Sequence, residues 1–286
     1  MFFFSLSLSL PFSFEGHDRT DLLLPGAQAQ LISAVIKAAT APVTLVVMSG
    51  GPVDLSAYKS DPMVGAILIT GYPGQAGGQA IAETLFGDNN PAGRLTQTWY
   101  DNTFIDSCEM IDMNMRPEQQ SQSPGWPVCP GRTYRFFTGT PVYKFGDGLS
   151  YTTFSYTKVA ADASGAAVAT LAVSALSKEI KYTQYLPHTA ATVLKIEVDV
   201  ANVGEQDCDE VVLGYVVPDH HGQRGLPLKQ LRTYERVFVP AGSAKRVTLK
   251  FNAHDFAVVD EDGTAVVSAG VVSLEVGSTV TKVVLV

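Results

Sequence analysis

The stretch GYPGQAGGQAIAETLFGDNNPAGRL, residues 71–95, decides how this chain is to be read. Gly74, Gly77 and Gly78 open a helix whose Ile81, Leu85 and Phe86 fall on one face, and Gly87 ends it. Glycine at a helix entrance removes a Cβ where backbone must pass close to a neighbour, and glycine past the last turn supplies the left-handed cap. Asn90-Pro91-Ala92-Gly93 then turns the chain. Upstream, a helical pattern spans about 26–40 through Leu31, Ile32, Val35, Ile36 and Ala39, with Pro25 suited to a first helical position. Val43–Met48 and Val64–Thr70 are continuous apolar runs ending in glycine. Such runs joined by helices are expected to be parallel strands covered on both faces. The expected fold is an α/β layered sheet with too few strands for a complete domain.

Residues 101–150 are irregular and rich in Pro, Gly, Gln and Met, as a functional or pinned loop would be. From about 151 the period changes to two. Leu194, Ile196, Val198 and Val200 alternate with polar residues, as do Val247, Leu249 and Phe251, then Leu274 and Val276. Turn sequences at Asn202-Val203-Gly204, Pro240-Ala241-Gly242 and Asp262-Gly263 separate them, which reads as an antiparallel β-sandwich. The N-terminal MFFFSLSLSLPFSF has three readings: a strand with apolar residues at period two, a signal-like segment without basic flank, or a mispredicted start.

The chain of 286 residues carries 20 basic and 28 acidic side chains, a net charge of −8. That balance argues against nucleic acid, whose binding needs a basic footprint. No apolar stretch reaches the ~18 residues of a membrane span. No metal framework or cofactor motif appears. The His220-His221 doublet sits in a polar loop, and Cys108, Cys129 and Cys208 lack paired spacing. Cys108 and Cys129 are either a bridge of a secreted protein or two free thiols. Ser49-Gly50-Gly51 is not a nucleophile elbow, and the glycines of 71–78 do not have dinucleotide-binding spacing. They read as tight strand–helix packing.

Taken with EGHDRTDLLLPG (15–26), PGRTYRFF (130–137) and FGDGLSYTTF (145–154), the 71–95 stretch resembles the C-terminal half of family 3 glycoside hydrolases, nearest the β-xylosidase/α-L-arabinofuranosidase branch. The segments NVGEQDCDEVVLGYV and PLKQLRTYERVFVPAGSAKRVTL resemble the fibronectin type III-like domain that ends many such enzymes. The resemblance implies a partial α/β domain over 15–122 after an N-terminal segment 1–14, an aromatic linker over 123–155, and a fibronectin type III-like domain over 156–286. It also implies secretion, a xylo- or arabino-configured oligosaccharide substrate, and a catalytic barrel, with the missing strands, lying upstream of Met1. The alternative reading is a non-catalytic scaffold or carbohydrate-binding protein.

In that family the nucleophilic aspartate sits on the barrel, so no residue here is its counterpart. The acid/base glutamate belongs to a motif of two glutamates one residue apart followed by Gly-x-Asp-Arg. Here Ser13 stands at the first glutamate position and Glu15 at the second, leaving Glu15 as candidate general acid/base beside the alternative of an ordinary loop carboxylate. Asp18 and Arg19 are expected to anchor the motif's turn or form an ion pair, and Gly74, Gly77, Gly78, Gly87 and Gly93 are structural. Trp99, Tyr100, Trp126, Tyr134, Phe136 and Phe137 can stack on a sugar ring, but packing is the default for them. Tyr134, Phe136, Phe145, Leu149 and Tyr151 are expected to dock the linker.

Overall fold

The run Val43–Met48 becomes the middle strand of a three-stranded parallel sheet in the computed structural model of the chain. Its strands are β1 (Phe2–Ser7), β2 (Val43–Met48) and β3 (Val64–Ile69), in the order β1-β2-β3. The structure describes residues 2–7, 19–118, 127–159, 168–171, 179–180, 192–223, 225–259, 263 and 265–286. The chain divides into two compact units, the first being Met1–Asn89, Leu95–Thr133 and Phe137–Asp147, the second Asn90–Arg94, Tyr134–Phe136 and Gly148–Val286.

In the first unit β2 is buried on both faces. Val43, Leu45 and Val47 join Leu24, Ile32, Val53, Leu55, Trp99 and Val142 in one cluster, while Thr44 and Val46 are buried on the other side. A strand with no solvent face has no reason to alternate, which explains its unbroken apolar run. β3 departs from the expectation of two covered faces. It lies at the sheet edge among the described residues, and Gly65 and Ala66 are exposed while Val64, Ile67 and Ile69 lean on the cluster. The helix α1 (Gln28–Ala38) starts later than Pro25, because Gly26 takes a left-handed φ of 59° that no helical residue adopts. It turns Ile32 inward and leaves Leu31 exposed.

A short helix α2 (Ser56–Lys59) precedes β3, and α3 (Gly77–Phe86) follows it. Gly87 ends α3 at φ 86° and donates its N–H to the Thr84 carbonyl, while Asn89 donates to the Glu83 carbonyl. Of the entrance glycines, Gly77 needs its missing Cβ: one placed there would fall 2.6 Å from the Pro73 ring. Gly74 takes φ 69°, and Gly78 faces open space. Phe86 departs from its expected role, being 73% exposed, whereas Thr84 is the buried side chain of this helix.

The second unit is a fibronectin type III-like β-sandwich. One sheet contains β4 (Phe154–Lys158), β7 (Thr192–Asn202) and β10 (Ala244–Asn252). The other has the order β5-β14-β13-β8-β9, from β5 (Val168–Leu171), β8 (Cys208–Val217), β9 (Gln230–Val239), β13 (Gly270–Val276) and β14 (Thr279–Leu285). Short strands β6 (Glu179–Ile180), β11 (Val258–Val259) and β12 (Ala265–Val266) form a third sheet. The period-two positions face inward as expected: Leu194, Ile196, Val198, Val200, Val247, Leu249, Phe251, Leu274 and Val276 share one buried core. One pairing departs from the antiparallel reading, since β5 runs parallel to β14.

The Asn90–Arg94 turn is built into this second unit. Asn90 accepts from the Tyr151 amide at 2.8 Å and donates to the Asp207 carbonyl at 3.1 Å. The Gly93 carbonyl lies where a Gly148 Cβ would stand. Arg94 pairs with Glu210 at 2.5 Å, and the other Glu210 oxygen accepts from the Tyr156 hydroxyl at 2.5 Å. Glu210 is buried. Burial, the Glu210 hydrogen bond and the Glu210 charge all hold the Tyr156 phenol above its ordinary range, against an opposing pull from Arg94.

Tyr134 and Phe136, from the short helix α4 (Thr133–Phe136), also belong to the second unit. The Tyr134 hydroxyl accepts from the Leu231 amide at 3.0 Å, and Phe136 is buried. Leu149 departs from its expected docking role, being 89% exposed, and Tyr151 is half exposed. The chain there is held by polar groups instead, through the Tyr151 amide and the Ser150 hydroxyl, which donates to the Thr152 carbonyl.

Candidate functional site

The irregular segment after β3 owes its form to one disulfide and one arginine. Cys108 and Cys129 are bridged across a sequence separation of 21 residues, which decides between the two readings of that pair. Arg132, from the PGRTYRFF motif, gathers the enclosed loop. Its side chain donates to the carbonyls of Asn114 at 3.1 Å and Glu109 at 2.5 Å and lies 3.8 Å from the Asp112 carboxylate. Its own amide donates to the Met115 carbonyl. Five donors in a rigid fork suit arginine to several acceptors in one plane.

Beneath the loop, Tyr100 stacks on Phe104 at 4.1 Å, and Phe137 meets both rings edge-on. The Tyr100 hydroxyl accepts from the Thr133 amide at 2.6 Å. Burial raises the Tyr100 phenol above its usual range, partly offset by that hydrogen bond. Trp99 is buried in the first unit's core. Trp99, Tyr100, Phe104 and Phe137 are therefore packing residues, and Trp126 lies outside the described residues.

A cleft of about 530 Å³ opens beside the disulfide loop, with Thr20 at one side and Ile105, Asp106, Glu109, Met110, Ile111 and Pro127 around it. Its polar side chains are Thr20 and two carboxylates, and its walls are otherwise apolar. Asp106 and Glu109 are both exposed. The arrangement offers a binding wall with hydrogen-bond acceptors. Sequence reading marked this stretch as irregular but did not single out Asp106 or Glu109. The only available sign was the placement of Met110, Ile111, Met113 and Met115 between two cysteines.

Glu15 and Asp18 lie outside the described residues. Arg19 forks onto the Leu23 carbonyl and lies 3.3 Å from Asp21, which in turn accepts from the Leu23 amide. Ser49 donates to the Gly51 carbonyl two residues on, a local turn. His220 and His221 are exposed.

Because both cysteines are buried and the bridge closes a loop of this length, its removal has a calculable cost. Loop-closure entropy assigns about 3 kcal/mol to it. The Cys108→Ser/Cys129→Ser variant should lower the unfolding free energy of the first unit by about that amount in urea titrations. A midpoint unchanged from wild type would show that the Arg132 contacts hold the loop unaided.

The profile of the glycosyl hydrolase family 3 C-terminal domain matches residues 3–151, and that of the fibronectin type III-like domain matches 210–280. Beta-D-xylosidase 3 of Arabidopsis thaliana is 37% identical over 274 residues, covering 92% of this chain and 34% of that protein. Beta-xylosidase/alpha-L-arabinofuranosidase 2 of Medicago sativa subsp. varia is 38% identical over 265 residues, covering 92% and 33%. Among solved structures, a family 3 exo-beta-xylosidase (XlnD) in complex with a xylobiose aziridine activity-based probe superposes with a TM-score of 0.81. It is 33% identical, covering 95% of this chain and 34% of that one. The chain thus spans about a third of the length of the relatives it matches.

Proposed function

The chain belongs to glycosyl hydrolase family 3 through its C-terminal domain, and on that premise we propose that it forms the C-terminal portion of an exo-acting, retaining β-xylosidase or α-L-arabinofuranosidase that trims xylan or arabinoxylan fragments. The observation that carries this reading is identity of 36–39% to plant β-xylosidases and arabinofuranosidases sustained over 90% or more of the chain. In the proposed enzyme this portion supplies one wall of the substrate site, and the cleft beside the disulfide loop is the wall we assign. Glu15 is the proposed general acid/base, because it stands at the second glutamate of the family's motif. We further propose an extracellular location. The Cys108–Cys129 bridge supports it, since disulfides persist in oxidising compartments.

Retaining hydrolysis needs two carboxyl groups roughly 5 Å apart, one as nucleophile and one as acid/base. The family's nucleophile comes from the barrel, so purified residues 1–286 should not hydrolyse an aryl-β-xyloside. Joined to the barrel portion of a plant relative, the chain should turn it over. Glu15→Gln should then cost on the order of 10²-fold in kcat, least with a leaving group that needs no protonation. Turnover by residues 1–286 alone would overturn the division of labour. Unchanged kcat in Glu15→Gln on a poor leaving group would remove Glu15 from the acid role.

A further inference from the structure

β9 lies at the end of its five-stranded sheet. Val237 and Val239 face the core, whereas Tyr234, Arg236 and Phe238 lie on the opposite face. Tyr234 is 67% exposed and Phe238 49%. Two large aromatic residues four positions apart on one strand face stand about 13 Å from each other. Arg236 between them donates through Nε and Nη2 to the Asp209 carboxylate at 2.9 and 2.6 Å. Asp209 is the residue opposite Phe238 on β8, and the Lys245 ammonium lies 5.9 Å from the Phe238 ring centroid.

Exposed edge strands are ordinarily blunted by charge, and Arg236 alone would serve for that. It does not account for two exposed rings, because aromatic surface left in water is unfavourable unless something covers it. From this face we propose a carbohydrate-binding site that takes an extended, uncharged xylan-type chain. Resting on the hydrolase reading above, it deepens that reading by adding a polymer-holding surface.

The rings and the polar edges between them suit this class of ligand. The guanidinium in the middle of the face is neutralised by Asp209, so the strip between the rings carries ion-pair edges and no net charge. A polyhydroxylated neutral chain can hydrogen-bond to such edges, and its sugar C–H faces can lie on the flanking rings. The distance between the rings is one that an oligosaccharide bridges and a monosaccharide does not.

The test is native electrophoresis of the full 286-residue chain in gels cast with soluble arabinoxylan. Wild type should be retarded, and xylose should not compete. Tyr234→Ala and Phe238→Ala should each weaken retardation about tenfold, the scale of one lost aromatic contact. Tyr234→Phe should retain it, since the ring acts and not the hydroxyl. Circular dichroism melts of the variants should match wild type, because both side chains are exposed. Three outcomes would overturn the proposal: no retardation of wild type, equal retardation of the alanine variants, or aromatic-dependent self-association by sedimentation without any effect of xylan. The assay needs no hydrolysis, so a failed platform and a failed hydrolase assignment give different results.

Discussion

Arg94→Met should destabilise the second unit by about 3–5 kcal/mol, the cost of removing one partner from a buried ion pair. The reason lies with Glu210, which is buried and has, among the described residues, Arg94 and Tyr156 on its two oxygens. Without the guanidinium, the buried carboxylate keeps a single neutral donor, the Tyr156 hydroxyl. One further result distinguishes this from lost packing. Adding Glu210→Leu to Arg94→Met should restore much of the loss, since an apolar pair avoids the desolvation cost of both charges. Differential scanning calorimetry of the single and double variants would measure this. A loss below about 1 kcal/mol would mean that the pair behaves as a solvated surface bridge.

Trp99→Ala should cost the first unit a comparable 3–5 kcal/mol or so, the usual price of truncating a large buried aromatic. Trp99 is 2% exposed and packs in the cluster formed by Leu24, Val43, Leu45 and Val47. Its backbone is also a junction: its amide donates to the Tyr143 carbonyl at 2.9 Å, and its carbonyl accepts from the Val142 amide at 2.7 Å. Hydrogen exchange should show lost protection at both amides, while the sandwich strands stay protected. Trp99→Phe should recover more than half of the loss. Protection unchanged at Val142 would show that the backbone pairing does not depend on the ring.

Some of these contacts could be read in the amino-acid order and others could not. Alternation marks which side of a strand faces the core, so the inward residues of β7, β10 and β13 were readable from period alone. Continuous apolar character marked β2 as fully buried, but the same pattern misled at β3, where lying at an edge leaves Gly65 and Ala66 in solvent. Local periodicity carries no information about partners far along the chain. Arg94 and Glu210 are 116 residues apart, and nothing near either one announces the other. The same holds for Arg132, whose motif was visible but whose acceptors lie some 20 residues back in an irregular loop. Leu149 shows a different failure: an apolar side chain in an aromatic-rich stretch reads as buried, although backbone hydrogen bonds do the holding there. For the candidate site, the glutamate motif was readable by resemblance, whereas the cleft arises from a disulfide whose pairing the spacing left open.

The second unit contains five residues, Asn90–Arg94, that lie more than fifty positions before its main body begins at Gly148. Heredity and cloning both handle a protein as contiguous text, and this unit is not contiguous. A recombination event or an expression boundary placed at Gly148 would transfer the strands and leave behind the cation that answers Glu210 and the carbonyl that lies beside Gly148 itself. The sandwich is therefore poorly suited to travel as a cassette, and its lineage is tied to the sequence that precedes it.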